Sequence, residues 1–212
     1  MLPGMPFPLA LDHLLIGAPD LGSGIAWVAD HLGVTPVPGG RHPGLGTHNA
    51  LTGLSGTRYL EVIAPDPGGA GLAPPFAWLA SFAEPAVATW AVATTDLALI
   101  ASSFEEWRVP HSGLMAGSRR RPDGSLLEWQ TLFPEDNEGG IIPFFISWKD
   151  PAQHPALSLP RGLELEALTF VHPEPERMLK IFAAAGLDAS IEEGDAPRLS
   201  ATIRGPLGVR EI

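Results

Sequence analysis

Residues 9–66 decide how this chain folds: LALDHLLIGAPD at 9–20, LGSGIAWVADHLG at 21–33, GGRHPGLGTHNALTG at 39–53 and TRYLEVIAPD at 57–66. The order reads as a strand, an amphipathic helix, and three strands joined by tight turns. In the first strand, residues 9–16, alternation puts Leu11, His13 and Leu15 on one face and Leu14 and Ile16 on the other. Asp20 is placed to cap the helix, Leu21, Ile25, Val28 and Leu32 recur at helical spacing, and Gly33 ends it. Pro43-Gly44-Leu45-Gly46 and Ser55-Gly56 are turn signals, and they leave strands around 37–42, 48–54 and 58–64.

Working outward, the same order returns. Residues 67–86 form a Gly/Pro/Ala-rich connection with a short helix expected at 76–82. Residues 87–150 repeat the unit: a strand at 87–93, Asp96 as cap, a helix carrying Leu97, Ile100, Ala101 and Phe104, two strands flanking Pro122-Asp123-Gly124, and a last strand at 141–148. Residues 160–212 start again, with a strand at 163–171 and the helical stripe Met178, Ile181, Phe182 and Ala185 stopped by Gly186. Room remains there for two or three short strands, a partial third module. The expectation is one α+β domain over 1–212, with modules at 9–66, 87–150 and 160–212.

Composition narrows the function classes. A hydrophobic fraction of 45% over 212 residues supports a sizeable core. With no cysteine, disulfides, thiolate metal sites and a Cys nucleophile are excluded, so any metal must sit on N and O ligands. The net charge of -11 repels phosphate backbones, and Arg119, Arg120 and Arg121 form the one basic cluster; nucleic acid is not an expected partner. The opening MLPGMPFPLALDHLL lacks a basic start and is broken by prolines, unlike a signal peptide, and no apolar run reaches the ~20 residues of a membrane span. A cytoplasmic protein with a small-molecule substrate is expected, with a homodimer left open.

Within the first module, His13, His48 and Glu61 fall on three strands. If first and last strands are neighbours, His13 and Glu61 face each other in an apolar belt, where a carboxylate needs a proton, a base or a metal beside it. His48 is preferred over Asn49 as the third member, although periodicity alone allows either. Two imidazoles and one carboxylate leave coordination positions open and suit Fe, Mn, Ni or Zn. Glu61 is the candidate catalytic proton carrier. His42 and Asn49 are placed as substrate contacts, with Trp90 and Trp129 as aromatic wall and Arg120 as a guanidinium aimed into the cup because it alternates with its neighbours. His31 reads as a solvated helix end, and His111, His154 and His172 receive no role.

The segments LDHLLIGAPDL, GGRHPGLGTHNAL and YLEVIA resemble the glyoxalase-like branch of the vicinal oxygen chelate (VOC) superfamily, which is built from βαβββ modules. The resemblance implies two such modules around a cup, a divalent metal ion, and a lyase, isomerase or dioxygenase acting on a small oxygenated molecule. The alternative it offers is a non-catalytic, drug-sequestering binder. Where VOC enzymes share a metal between modules, both contribute ligands from their first and last strands. Here the second module has Thr89 or Trp90, and Phe145, at the matching positions.

Overall fold

The computed structural model describes residues 11–121 and 123–212. Strand β1 (Leu11–Gly17) leads into α1 (Leu21–Leu32), then β2 (Val37–His42), β3 (Thr47–Gly53) and β4 (Tyr59–Pro65). The expected strand start at Leu9, the reading of the opening residues, and Pro122 of the Pro-Asp-Gly turn lie outside the described residues. The Asp20 carboxylate accepts the Ser23 amide at 2.9 Å, and Gly33 closes α1 at φ 77°, a conformation that a β-carbon disfavours. The second module follows as β5 (Ala86–Ala93), α2 (Leu97–Glu106), β6 (His111–Arg120), β7 (Leu126–Pro134) and β8 (Phe144–Trp148). Its helix is capped in the same way, by Asp96 on the Leu99 amide at 2.9 Å. The connecting helix is a 3-10 helix, Pro74–Ser81; it starts at its two prolines, whose missing N–H groups are tolerated in a first turn.

The two modules form one eight-stranded sheet in the order β2-β3-β4-β1-β5-β8-β7-β6. Within each, first and last strands run parallel side by side: β1 with β4, and β5 with β8. The modules join where β1 pairs antiparallel with β5. The sheet curls until its outer strands β2 and β6 lie against each other, so its concave face becomes the wall of a cup. That face carries Leu15, Ile63, Ala91, Phe133, Phe144 and Ile146, with Phe76 and Leu79 of the 3-10 helix packed onto them.

The third unit, β9 (Glu164–His172), α3 (Pro175–Ala184), β10 (Glu192–Glu193), β11 (Arg198–Gly205) and β12 (Gly208–Glu211), has the same element order and a different pairing. Strand β10 returns parallel to β9 on one side and β11 pairs antiparallel on the other, giving β10-β9-β11-β12. Phe170, Met178, Phe182 and Leu199 pack with Trp90, Leu14, Val28 and Ile100 in one continuous core on the convex side. The molecule is thus α+β, two βαβββ modules with a smaller third unit packed on their outside. Among the described residues no helix is long and apolar enough to cross a membrane.

Candidate functional site

The site begins with a register shift. Along β1, Leu11 pairs with Val92 but His13 already pairs with Ala91, so Asp12 is an extra residue, a β-bulge. Leu11 and Val92 belong to the convex core, whereas Ala91 lies in the cup. The bulge therefore turns two consecutive side chains, Asp12 and His13, to the concave side. Strict alternation, which groups Leu11 with His13, fails at this point.

His13 Nδ1 lies 2.7 Å from Asp12 Oδ1, and His13 Nε2 lies 3.3 Å from Glu61 Oε2 on the parallel neighbour β4. Glu61 Oε1 accepts the Asn49 amide Nδ2–H at 2.8 Å. The same nitrogen is 3.3 Å from His42 Nε2, and His42 Nδ1 is 2.8 Å from Thr47 Oγ1. On the other flank, Asp12 Oδ2 accepts from Trp148 Nε1 at 2.8 Å and from His154 Nε2 at 3.1 Å. A continuous polar chain thus crosses β2, β3, β4, β1 and β8, and its members Asp12, His13, His42, Asn49 and Glu61 are all buried. Tyr59 stacks on the His13 ring at 4.4 Å and Phe144 meets it edge-on at 5.5 Å.

Burial alone would raise the Asp12 pKa, but hydrogen bonds from His13 and His154, together with their charges, outweigh it and hold the group well below the usual carboxylate range. An ionised Asp12 obliges His13 Nδ1 to carry its proton. His13 Nε2 then faces Glu61, two potential acceptors that need a proton between them, on one or the other. His42 is the opposite case: burial lowers its pKa to about 4, against the raising effect of Glu61 and aided by Arg119. Neutral His42 donates through Nδ1–H to Thr47 and accepts at Nε2 from Asn49. Burial also raises Tyr59 well above its ordinary value, with Asp12 and Glu61 adding to the shift.

Several expected positions move. His48 does not join the cluster: it pairs with Ala64, a convex-core residue, while Asn49 pairs with Ile63 of the cup, so Asn49 takes the inward place. Trp90 is not a wall of the cup; it is wholly buried on the convex side, donates to the Ile141 carbonyl at 2.9 Å, and packs on Phe170 and Phe182. Arg120 is exposed and reaches the Gly124 carbonyl at 3.3 Å. Alternation along β6 sends Arg119 inward, where it is buried and donates to the Gly39 carbonyl of β2. Trp129 does border the cluster, edge-on to His42 at 5.8 Å, over Gly117, where a β-carbon would strike the indole. Asp12 and His154 were missed: the bulge leaves no mark in hydrophobic periodicity, although the adjacency of Asp12 to His13 was visible. His154 reaches Asp12 only because the chain after β8 folds back through two short 3-10 turns, Pro151–Gln153 and Pro155–Leu157.

The ion implied by the resemblance finds an incomplete donor set. Among the described residues no group of three His, Asp or Glu side chains is arranged to hold a metal ion. His13 Nε2 and Glu61 meet, but His48 stands on the other face and Asn49 presents nitrogen to Glu61. Two protein donors fall short of the three found in catalytic sites, so these residues do not fit a resident divalent ion.

A cavity of about 40 Å³ lies beside the pair, bordered by His13, His42, Asn49, Glu61, Arg119 and Trp129 among others. A larger one of about 490 Å³ adjoins it, and Phe76, Phe133 and Phe144 border both. The smaller is bordered by the polar chain, and the larger has more room and a mostly apolar lining.

A model described as a glyoxalase-like domain matches residues 11–186. No curated protein matches the chain in sequence. A hypothetical protein from Staphylococcus aureus has a similar structure, with a TM-score of 0.69 at 15% identity over 89% of this chain and 87% of that one. Methylmalonyl-CoA epimerase from Streptomyces coelicolor, in complex with 2-nitronate-propionyl-CoA, gives 0.46 at 18% identity over 66% of this chain and 98% of its own. The Mycobacterium tuberculosis epimerase gives 0.41 at 18% over 70% and 91%. The family match spans most of the chain and agrees with the paired βαβββ architecture: this protein belongs to the glyoxalase-like domain family.

Proposed function

We propose that the protein is a VOC-type enzyme that moves a proton on a small oxygenated molecule held in the cup, an isomerase or lyase step. The observation that carries this reading is His13 Nε2 lying 3.3 Å from Glu61 Oε2 while His13 Nδ1 is held by Asp12. A carboxylate that orients an imidazole fixes its tautomer and leaves the far nitrogen free to take or give a proton. Glu61, its other oxygen held by Asn49, is the second proton carrier. One member of the pair takes a proton from carbon next to a carbonyl; the other returns a proton to the resulting enolate. The Arg119 guanidinium in the cavity wall favours the negative charge that develops on oxygen. The dioxygenase branch of the expectation gains nothing from two donors.

The test is exchange. Incubated in D2O with a panel of hydroxyketones and 2-oxo acids, the protein is expected to catalyse loss of an α-proton signal from at least one compound, and His13→Asn and Glu61→Gln to abolish it. Undiminished exchange in both variants would overturn the assignment. A second reading, a non-catalytic binder, draws support from the apolar cavity of about 490 Å³; it predicts ligands that raise the melting temperature and are released without exchange.

A further inference from the structure

The larger cavity constrains what the ligand must look like beyond its reacting end. From the His13 ring a line of aromatic contacts leads into it: Phe144 at 5.5 Å, then Phe133 stacked on Phe144 at 4.8 Å, then Phe76 at 5.4 Å and Trp78 at 6.0 Å. The 3-10 helix Pro74–Ser81 covers it with Pro74, Pro75, Phe76 and Trp78, and β5 and β6 add Thr89, Ser112 and Met115. No Lys, Arg or His stands among the described residues that line it, and its one ionisable side chain is Glu135. An anionic tail would enter an apolar chamber with no cation to pair with and a carboxylate at its edge. A neutral apolar tail replaces water there at a gain of about fourfold in affinity per buried methylene.

We infer that the ligand is a two-part molecule: a small oxygenated head at His13 and Glu61, and an uncharged hydrophobic tail, alkyl or aryl, that passes Phe144 and Phe133 into the chamber under the Pro74–Ser81 helix. Which end faces the pair rests on the proton-transfer reading. The existence of a neutral tail site does not. Met115 of β6 lines the chamber, so added bulk there shortens the tail that fits.

Titration calorimetry with straight-chain hydroxymethyl ketones, from the ethyl to the octyl ketone, tests it. The wild-type protein is expected to bind each longer member about three- to fourfold more tightly until the chamber is full, and an ω-carboxylate on the longest chain to remove that gain. Met115→Trp, which fills the chamber from partly exposed β6, is expected to keep the affinity for the ethyl ketone and lose the chain-length gain. Leu114→Trp, which adds the same bulk to the exposed neighbour of Met115 on β6, is expected to keep the gain; it controls for damage to the fold. Affinity independent of chain length, or a gain that survives Met115→Trp, overturns the inference even if α-proton exchange is found. Conversely, a chain-length gain without exchange in any compound leaves the tail site standing and removes the enzyme reading.

Discussion

The two βαβββ modules share element order, Asp-capped helices and a parallel first and last strand, yet they differ in what they turn to the cup. The first presents Asp12, His13, His42, Asn49 and Glu61; at the facing positions the second presents Thr89, Ala91, Phe144 and Ile146. A repeated backbone therefore specifies where side chains converge and leaves open which chemistry they carry. The first module supplies titratable groups. The second supplies walls, volume and two anchoring donors, the Trp148 indole on Asp12 and the Arg119 guanidinium on the Gly39 carbonyl.

The sharpest way to break this comparison is to damage each half separately. His13→Asn or Glu61→Gln in the first module is expected to lower α-proton exchange by roughly 10²–10⁴, the contribution of a positioned acid or base. Ile146→Val in the second, at the cup wall, is expected to change exchange less than about tenfold and stability by about 1 kcal/mol. Steady-state rates on the best compound of the panel check both. Equal losses on the two sides would show that the division of labour is false.

Next in size is Asp12, the point where the halves are tied together. Asp12→Ala strands the donors of buried His13 and half-buried Trp148 and His154, and is expected to cost about 3–5 kcal/mol in urea unfolding. Trp148→Phe keeps the ring and removes one donor, so a loss of about 1–2 kcal/mol is expected. If Asp12→Ala is nearly neutral, the bulge on β1 holds without its hydrogen bonds.

How much of this was legible in the chain depends on which periodicity a residue obeys. Elements, caps and module order follow from local pattern: Asp20, Gly33 and Asp96 stand where the sequence put them, and β2 has the limits read from its turns. His13 and Glu61 meet because β1 pairs in parallel with β4, the pairing the family resemblance implies; element order alone does not, since the third unit has the same order and pairs otherwise. Two inward choices were binary and fell the other way, Asn49 over His48 and Arg119 over Arg120, since period 2 fixes alternation and not phase. Trp90 was misplaced for a different reason: the third unit, which buries its indole, packs on the convex side by pairings that sequence order does not imply.

Acid offers a gentler probe of the first module. In the folded chain His42 titrates at about 4 against an ordinary value of 6.5, so between those limits the unfolded chain binds a proton that the folded one does not. Stability therefore falls as pH drops through this window, by on the order of 3 kcal/mol in total. The groups acting on His42 are Glu61, Arg119, His13 and His48. Unfolding midpoints measured from neutral pH down to about pH 4.5 are expected to decline less steeply in His42→Gln than in wild type; parallel slopes would mean that His42 is not held neutral by burial.

The smallest expected effect lies at the seam where the curled sheet closes, and it sets two neighbouring residues of the second module against each other. Arg119 crosses from β6 to the Gly39 carbonyl of β2 and is buried in the wall of the smaller cavity; Arg120, one residue on, is exposed and bonds locally to the Gly124 carbonyl. Arg119→Met keeps most of the aliphatic stem but leaves a buried carbonyl without its donor, which is expected to cost about 1–3 kcal/mol. Arg120→Met removes a solvated charge and is expected to change stability by less than about 0.5 kcal/mol. Thermal unfolding of the pair reads the difference directly. Because Arg119 lines the same small cavity as His13 and Glu61, Arg119→Lys separates closure from chemistry: it retains charge but loses the planar fork, so exchange should fall less than stability. If Arg119→Met and Arg120→Met prove equally mild, the contact across β2 and β6 does not hold the cup shut, and the facing strands stay together through the modules' joint at β1 and β5 alone.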